Sequence, residues 1–176
     1  MEILSNVIGL AGLVVMVLSF QQKKAKGVLL LQLISTTLFA THFGLKGAFT
    51  GLALNVISAI RAYVYSQKDK KWASGNLWMY SFIVISIISG VLTWDSPLSI
   101  FPMIAMVFTS IGFNAKTAKN IRILTLPNGP LWFIYNAFYA HSAFAAVNDT
   151  FCFISTLIAI IRLDIAKKDQ VREKMK

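Results

Sequence analysis

Charged residues are scarce in this chain. Of its 176 residues, 14% are Asp, Glu, Lys or Arg, whereas 56% are hydrophobic. A soluble domain of this size carries about 25% charged residues. The apolar residues fall into runs of 16–21 residues, close to the length of about 20 that an α-helix needs to cross a hydrocarbon core of about 30 Å. So little sequence lies between these runs that the composition excludes a separate soluble domain and indicates an integral membrane protein.

Cysteine and catalytic motifs are also lacking. The single cysteine, Cys152, excludes an internal disulfide and a cysteine-based metal site. The chain contains no HExxH sequence, nucleophile elbow, phosphate-binding loop or paired carboxylates. The sequence therefore predicts no enzymatic activity, no catalytic residue, no cofactor and no metal site.

Seven apolar runs predict seven transmembrane helices. They cover residues 3–20, 28–45, 47–66, 77–94, 99–114, 124–141 and 143–163. The first run does not resemble a secretory signal, because Glu2 precedes it and glutamines and lysines, rather than small residues, follow it. We therefore expect it to remain in the protein as the first transmembrane helix.

Basic residues alternate between the two sets of connections that join these runs. One set contains only Lys46. The other set contains Lys23, Lys24, Lys26, Lys68, Lys70, Lys71, Lys116, Lys119, Arg122, Lys167, Lys168, Arg172, Lys174 and Lys176. Arg61 and Arg162 lie near the same ends of their helices, within snorkelling reach of that side. Because positive charge marks the cytoplasmic face, we expect the amino terminus outside, in the periplasm, and the carboxyl terminus in the cytoplasm.

The net charge of +10 does not indicate nucleic acid as a partner, because the basic residues are divided among the connections instead of forming one continuous face. Membrane lipid is the expected partner. The sequence leaves open a small polar solute and a homo-oligomer.

The chain contains an internal repeat. A shift of 93 positions aligns residues 20–55 with 113–148 without a gap, and nine of the 36 pairs are identical, against about three or four expected by chance. The identical pairs are Phe20/Phe113, Lys23/Lys116, Ala25/Ala118, Lys26/Lys119, Leu31/Leu124, Leu33/Leu126, Leu38/Leu131, Ala53/Ala146 and Asn55/Asn148. Two three-helix repeats are therefore predicted, related by an axis along the membrane normal.

Because three spans reverse the direction of the chain, the fourth helix is needed to start the second repeat on the same side as the first. The predicted fold is an all-α membrane protein in a 3+1+3 arrangement. Its domains are a first repeat at 1–66, a linker helix with its loops at 67–98, a second repeat at 99–163 and a basic cytoplasmic tail at 164–176.

Two segments of the chain resemble a known family. KAKGVLLLQLISTTLFATHFGLKGAFTGLALN and TAKNIRILTLPNGPLWFIYNAFYAHSAFAAVN are similar to the second and third helices of SWEET, SemiSWEET and PQ-loop proteins. Over nearly its whole length, the chain resembles the bacterial inner-membrane YgjV proteins, which we place in that superfamily. The Pro-Gln pair that names PQ-loop proteins is absent, with Phe20-Gln21-Gln22 and Phe113-Asn114-Ala115 near its place.

The resemblance implies a multi-pass protein of the bacterial inner membrane that carries a small polar solute by alternating access. It also implies that the third-helix asparagines, Asn55 and Asn148, bind the solute. Amides in hydrocarbon need hydrogen-bond partners. Two equivalent amides at equal depth would face each other across a central cavity, although hydrogen bonds between helices are an equally ordinary use for them.

Asp149 is the only acidic residue inside an apolar run. A carboxylate within the membrane indicates function, and proton coupling, ion coupling or a cationic substrate are the candidates. Alternatively, the seventh helix begins at Asn148, and the charge of Asp149 merely suits the dipole of the first turn.

Four further residues are candidates for lining a solute site. His42 and Tyr135 are equivalent under the repeat, and the resemblance places aromatic and polar cavity residues there. Tyr135 and Asn136 lie within LWFIYN, and Gln32 adds a polar side chain to the second helix. Packing or anchoring at the membrane interface is the alternative for each.

Pro102 is the candidate hinge, because a proline inside a helix removes a hydrogen-bond donor and bends it. Pro127 and Pro130 can instead open the sixth helix, where proline is tolerated. Besides a transporter, a membrane receptor or sorting factor that does not transport, and a structural membrane protein, remain alternatives.

Overall fold

The described part of the chain is helical. The computed structural model describes residues 2–47, 49–92, 94 and 96–166, and no strand occurs among them. The helices are α1 Glu2–Phe20, α2 Ala25–Leu45, α3 Phe49–Ser66, α4 Leu77–Leu92, α5 Ile100–Phe113, α6 Ala118–Thr125, α7 Asn128–Phe138 and α8 Ala143–Ala159. A 3-10 turn, Pro97–Ser99, leads into α5, and a π-helical segment, Ile160–Ile165, extends α8. The all-α prediction is confirmed, while the predicted tail lies outside the described residues from position 167 onward.

Three helical segments of the described chain are long and apolar enough to cross a membrane. They are Glu2–Phe20, Ala25–Leu45 and Ala145–Ile165, and the segments Leu77–Leu92 and Pro97–Phe113 are apolar but shorter. The structure therefore agrees with a helical membrane protein. The number of seven crossings and the 3+1+3 arrangement stay predictions.

The chain divides into two compact units. The amino-terminal unit is Met1–Trp78 and the carboxyl-terminal unit is Met79–Lys176. In the amino-terminal unit, α2 packs against both α1 and α3. In the carboxyl-terminal unit, α5 packs against α6 and α7, and α7 packs against α8. The domain boundaries given above stay predictions.

Small residues on α1 allow α2 to approach closely. A Cβ atom on Gly9 would lie 2.8 Å from Nδ1 of His42, and one on Gly12 would lie 3.3 Å from the Phe39 ring. Ser35 also donates a 2.7 Å hydrogen bond to the Gly12 carbonyl oxygen. Since lipid removes most of the hydrophobic driving force between helices, close contact and hydrogen bonds hold such a pair together.

The sixth predicted span is interrupted. The run at 124–141 corresponds to the end of α6 and the whole of α7, with the break at Leu126 and Pro127. Pro127 precedes the first residue of α7 and Pro130 lies in its first turn, which agrees with the interpretation that these prolines open a helix. The predicted span at 124–141 did not include most of α6, because Lys119 and Arg122 make that helix too polar to belong to an apolar run.

Ion pairs show which helix ends lie together within each unit. Lys26 Nζ at the start of α2 lies 3.1 Å from Asp69 Oδ2, which follows α3. In the other unit, Arg122 of α6 pairs with Asp164 at the end of α8. Each unit therefore gathers its own basic connections at one end, as the charge pattern requires. The side of the membrane on which these ends lie stays a prediction.

The snorkelling prediction for Arg61 is wrong. Its side chain is 4% exposed and lies among buried residues of α3, including Ala62 and Tyr65. The guanidinium is therefore enclosed by the protein. Distance along the helix suggested enough reach, but the helix turns this position toward the protein.

Candidate functional site

Polar side chains of α7 and α8 meet at one carboxylate. Asn136 Nδ2 donates a 2.7 Å hydrogen bond to Asp149 Oδ2. Asn148 directly precedes Asp149 on α8. Asn148 Oδ1 in turn lies 4.0 Å from the Cys152 Sγ donor. These four half-buried residues, here called the Asp149 cluster, include three of the predicted site residues.

The local sequence explains how the two helices present these side chains. On α7, Gly129 precedes Asn136 by seven residues, so both lie on the same face of the helix. A Cβ atom on Gly129 would lie 2.6 Å from Cβ of Phe153 in α8. The missing side chain therefore allows α8 to approach the face that carries Asn136.

The start of α8 decides between the two interpretations of Asp149. The Ser142 side chain caps the helix by accepting from the Ala145 amide at 3.4 Å, and the first helical residue is Ala143. Asp149 thus lies in the second turn. Because the favourable effect of the helix dipole is confined to the first turn, the alternative that began the helix at Asn148 is wrong.

Asp149 differs from the other aspartates of the described chain in its partners. Asp69 pairs with Lys26 and Asp164 pairs with Arg122. Within the ranges that the structure describes, no basic side chain lies within 4.0 Å of Asp149. The Asn136 amide thus stabilises its carboxylate, and no basic side chain of the described residues pairs with it.

Tyr135 belongs to an aromatic stripe along α7. Its ring centroid lies 6.1 Å from that of Trp132 and 5.2 Å from that of Tyr139. Asn128, seven residues before Tyr135, lies on the same face and donates a 2.6 Å hydrogen bond to Thr109 Oγ1 of α5. The stripe therefore lies on the face of α7 that contacts α5 through Asn128. Asn136 lies on the neighbouring face of α7.

His42 fastens α2 to α1. Its Nδ1 atom lies 2.7 Å from the Ser5 carbonyl oxygen, so a proton on Nδ1 donates to that oxygen. Ser5 Oγ lies 3.2 Å from the His42 carbonyl oxygen and donates to it. The ring also packs directly on Gly9. The contacts of His42 are those of a buried histidine that joins two helices.

Gln32 makes a second contact of this kind. Its Nε2 atom donates a 2.8 Å hydrogen bond to Ser19 Oγ, and Ser19 Oγ donates to the Met16 carbonyl oxygen at 2.6 Å.

Asn55 lies half-buried on α3, in the amino-terminal unit, whereas Asn148 belongs to the carboxyl-terminal unit. The predicted pairing of these two asparagines stays a prediction.

Pro102 lies in the first turn of α5, directly after the 3-10 turn. A proline at this place removes no hydrogen bond within α5, since the first four amide groups of a helix have no acceptor inside it. The role of Pro102 as a hinge stays a prediction.

The sequence analysis missed a buried ion pair. Arg122 donates from Nε to Asp164 Oδ2 at 2.9 Å and from Nη2 to Asp164 Oδ1 at 2.6 Å. The two side chains are 2% and 7% exposed. Arg122 was assigned to the solvated basic connections. Helical spacing could have indicated that Arg122 is buried, because it shares one face of α6 with Ala118, Ile121 and Thr125.

Comparison with known proteins identifies the family. A family model of bacterial inner membrane proteins, Imp-YgjV, matches residues 3–167. The chain belongs to this family. No curated protein and no solved structure matches the chain.

The Imp-YgjV match confirms the resemblance to YgjV proteins and, with the apolar helices, the predicted location in the bacterial inner membrane. Membership of the SWEET superfamily and the orientation of the termini stay predictions. Among the residues with described positions, no three His, Cys, Asp or Glu side chains could jointly hold a metal ion.

Proposed function

We propose that this Imp-YgjV protein transports a small polar solute across the inner membrane by alternating access, and that the Asp149 cluster binds the solute. The observation that carries this proposal is the hydrogen bond by which Asn136 of α7 meets Asp149 of α8, two apolar helices. Ionisable groups within apolar membrane helices are costly and are retained for a function.

The partners of the other predicted polar residues support the choice of this cluster. Gln32 and His42 are buried and are bonded to α1. Their hydrogen bonds hold two helices together, which is a sufficient use for them. In contrast, Asn136, Asn148 and Asp149 are all half-buried, so part of each side chain is not enclosed by the protein.

The proposal includes a topology and a set of partners. The amino terminus is periplasmic and the carboxyl terminus cytoplasmic, supported by the basic connections that each unit gathers at one end. The protein is a SWEET-like transporter rather than an enzyme. Its partners are membrane lipid and the solute rather than nucleic acid. Self-association of the protein is measured in the preparations used for the ligand screen below.

A ligand screen followed by uptake tests the proposal. The purified protein in lipid nanodiscs is screened by thermal shift against sugars, amino acids, amines and nucleosides, and the uptake of a stabilising solute is then measured in proteoliposomes. We expect Asn136→Ala and Asn148→Ala to lose binding and uptake while keeping their helical content. Thr150→Ala is the matched control, because Thr150 is exposed on α8 next to Asp149.

Two results would contradict the proposal. One is a panel in which no solute stabilises the wild-type protein. The other is uptake by Asn136→Ala and Asn148→Ala at the rate of Thr150→Ala. Solute binding without any uptake would favour the receptor alternative instead.

A further inference from the structure

Lysines and tryptophans gather at one end of the amino-terminal unit. The ion pair of Lys26 with Asp69 brings together the connection between α1 and α2 and the connection between α3 and α4. Residues 21–26 and 67–78 contain six lysines and one acidic residue, Asp69. The set that we call the lysine–tryptophan patch consists of Lys23, Lys24, Lys26, Lys68, Lys70, Lys71, Trp72 and Trp78. The patch therefore carries a strongly positive charge.

Backbone hydrogen bonds hold the connection between α3 and α4 in a wound conformation. The Lys70 amide donates to the Gln67 carbonyl oxygen at 2.8 Å, and the Ala73 amide donates to the Lys70 carbonyl oxygen at 3.0 Å. Ala73 is 0% exposed, whereas Lys70 and Lys71 are exposed. Because this backbone is already ordered, a ligand of the lysines has to immobilise only their side chains, which lowers the cost of binding.

Four lysines of the patch are available to a partner. Lys26 is paired with Asp69, and Lys68 Nζ lies 5.3 Å from the centre of the Tyr65 ring. The other four are exposed, and among the described residues none of their ammonium groups lies within 4.0 Å of a carboxylate. They are Lys23, Lys24, Lys70 and Lys71. The partner that such a group of like charges attracts is an anion.

The tryptophans indicate where this charge lies in a bilayer. Trp78 Nε1 donates a 2.9 Å hydrogen bond to the Trp72 carbonyl oxygen, and the two ring centroids lie 6.1 Å apart. Trp72 is 47% exposed, as is Tyr63, whose ring centroid lies 6.3 Å from that of Trp72. Tryptophan and tyrosine side chains of membrane proteins collect at the level of the lipid headgroups. Lys70 and Lys71 directly precede Trp72, so they are held near the depth of the lipid phosphates.

We propose that the lysine–tryptophan patch binds the headgroup of an anionic phospholipid, with Lys70 and Lys71 contacting the phosphate and the exposed ring of Trp72 contacting the start of the acyl chains. Anionic lipids place negative charge at this depth, so both the charge and the position of the patch match them. The patch belongs to the amino-terminal unit, and the inference is independent of the solute proposed for the Asp149 cluster.

The carboxyl-terminal unit provides a matched control. The repeat places Lys116 and Lys119 at the positions equivalent to Lys23 and Lys26, and both are exposed. Residues 114–127, which contain them, include no tryptophan. We expect this connection to attract anionic lipid only through general charge, without a defined headgroup site.

Brominated lipids test the inference, because bromine quenches tryptophan fluorescence on contact. The chain has four tryptophans, so Trp94→Phe with Trp132→Phe leaves Trp72 and Trp78 as reporters. Phosphatidylglycerol and phosphatidylcholine, brominated at the same acyl carbons, are titrated into detergent micelles that contain this reporter protein. We expect phosphatidylglycerol to quench at an about tenfold lower concentration, and added salt to reduce the difference.

Paired variants of the reporter protein then assign the preference to the patch. Lys70→Gln with Lys71→Gln removes two charges and should abolish most of the preference for phosphatidylglycerol. Lys116→Gln with Lys119→Gln removes the same charge from the other unit and should keep the preference. All four lysines are exposed, so the variants should fold. If one does not, the comparison of the two lipids on the reporter protein still decides.

Three results would overturn the inference. Equal quenching by the two lipids would show that the headgroup is not recognised. An equal loss of preference in both paired variants would mean that only the net charge attracts the lipid. Displacement of brominated phosphatidylglycerol by the same concentration of glycerol 3-phosphate would identify a soluble phosphate ester, rather than a lipid, as the ligand.

Discussion

At two pairs of positions related by the shift of 93 residues, the two units make contacts through different side chains. In the amino-terminal unit, Gln32 of α2 donates a hydrogen bond to Ser19 of α1. The same shift of 93 positions leads from this pair to Thr125 and Gly112, where a Cβ atom on Gly112 would lie 2.6 Å from Cγ2 of Thr125. A hydrogen bond in one unit thus corresponds to a close steric contact in the other.

The polar residues of the units serve different contacts. The amino-terminal unit uses them between its first two helices, where Ser5, Gln32, Ser35 and His42 are buried. Among the described residues of the carboxyl-terminal unit, polar pairs join several helices, and the pair between α7 and α8, Asn136 with Asp149, is half-buried. On the proposed function, the first unit serves mainly as a scaffold and the second contains the binding chemistry.

The largest expected effect concerns the buried ion pair. Among the described residues of the amino-terminal unit, the ion pair is the exposed Lys26–Asp69. Arg122→Leu leaves Asp164 buried without its partner, so the free energy of unfolding should fall by about 3–5 kcal/mol. The measurement is unfolding in mixed micelles. The double variant with Asp164→Leu should recover most of the loss, and a double variant no more stable than Arg122→Leu would contradict this account.

The next effect tests the steric contact in the carboxyl-terminal unit. Gly112→Ala places a methyl group against Thr125 and should cost about 1–3 kcal/mol of unfolding free energy. Thr125→Ser removes the interfering Cγ2 but keeps the hydroxyl that bonds to the Ile121 carbonyl oxygen. Adding it to Gly112→Ala should restore stability in the same assay, and an unchanged loss would mean that the contact is not the cause.

A smaller effect separates scaffold from site. Gln32→Leu removes one hydrogen bond between membrane helices and should reduce the unfolding free energy by about 0.6 kcal/mol. Binding of the solute should keep its affinity, because Gln32 belongs to the amino-terminal scaffold. Titration calorimetry measures the solute affinity of Gln32→Leu and of Asn148→Ala. If Gln32→Leu loses affinity and Asn148→Ala does not, the amino-terminal unit contains the binding site and the assignment of roles is wrong.

The smallest effect concerns the surface of the amino-terminal unit. The hydrogen bond from Lys26 holds the pKa of Asp69 below its ordinary value. The pKa of Asp69 is thus lower in the folded protein than in the unfolded chain. The stability that this pair contributes is therefore present at pH values above the pKa of Asp69 in the unfolded chain, and it is lost as the pH falls through the pKa of Asp69 in the folded protein. Lys26→Met should raise the pKa of Asp69, measured by NMR titration, without altering solute affinity. An unchanged pKa would show that Lys26 is not its cause.

Composition and run length were sufficient to predict apolar membrane helices, because the hydrocarbon core sets both. The inner membrane followed from the resemblance to YgjV proteins. Asn136, Asn148 and Asp149 could be singled out, as polar groups are rare in membrane helices. Their meeting depends on the register between α7 and α8, which Gly129 and Phe153 determine. The ion pair of Arg122 with Asp164 was missed because it joins residues 42 positions apart.

The π-helical winding of Ile160–Ile165 has a consequence for the ion pair at its end. A π turn holds more residues than an α turn, and each residue of an α-helix corresponds to about 100° of rotation. Rewinding Ile160–Ile165 as α-helix would swing Asp164 around the helix axis and carry its carboxylate away from Arg122. The attachment of α6 to the end of α8 therefore depends on a change of pitch within six residues of backbone.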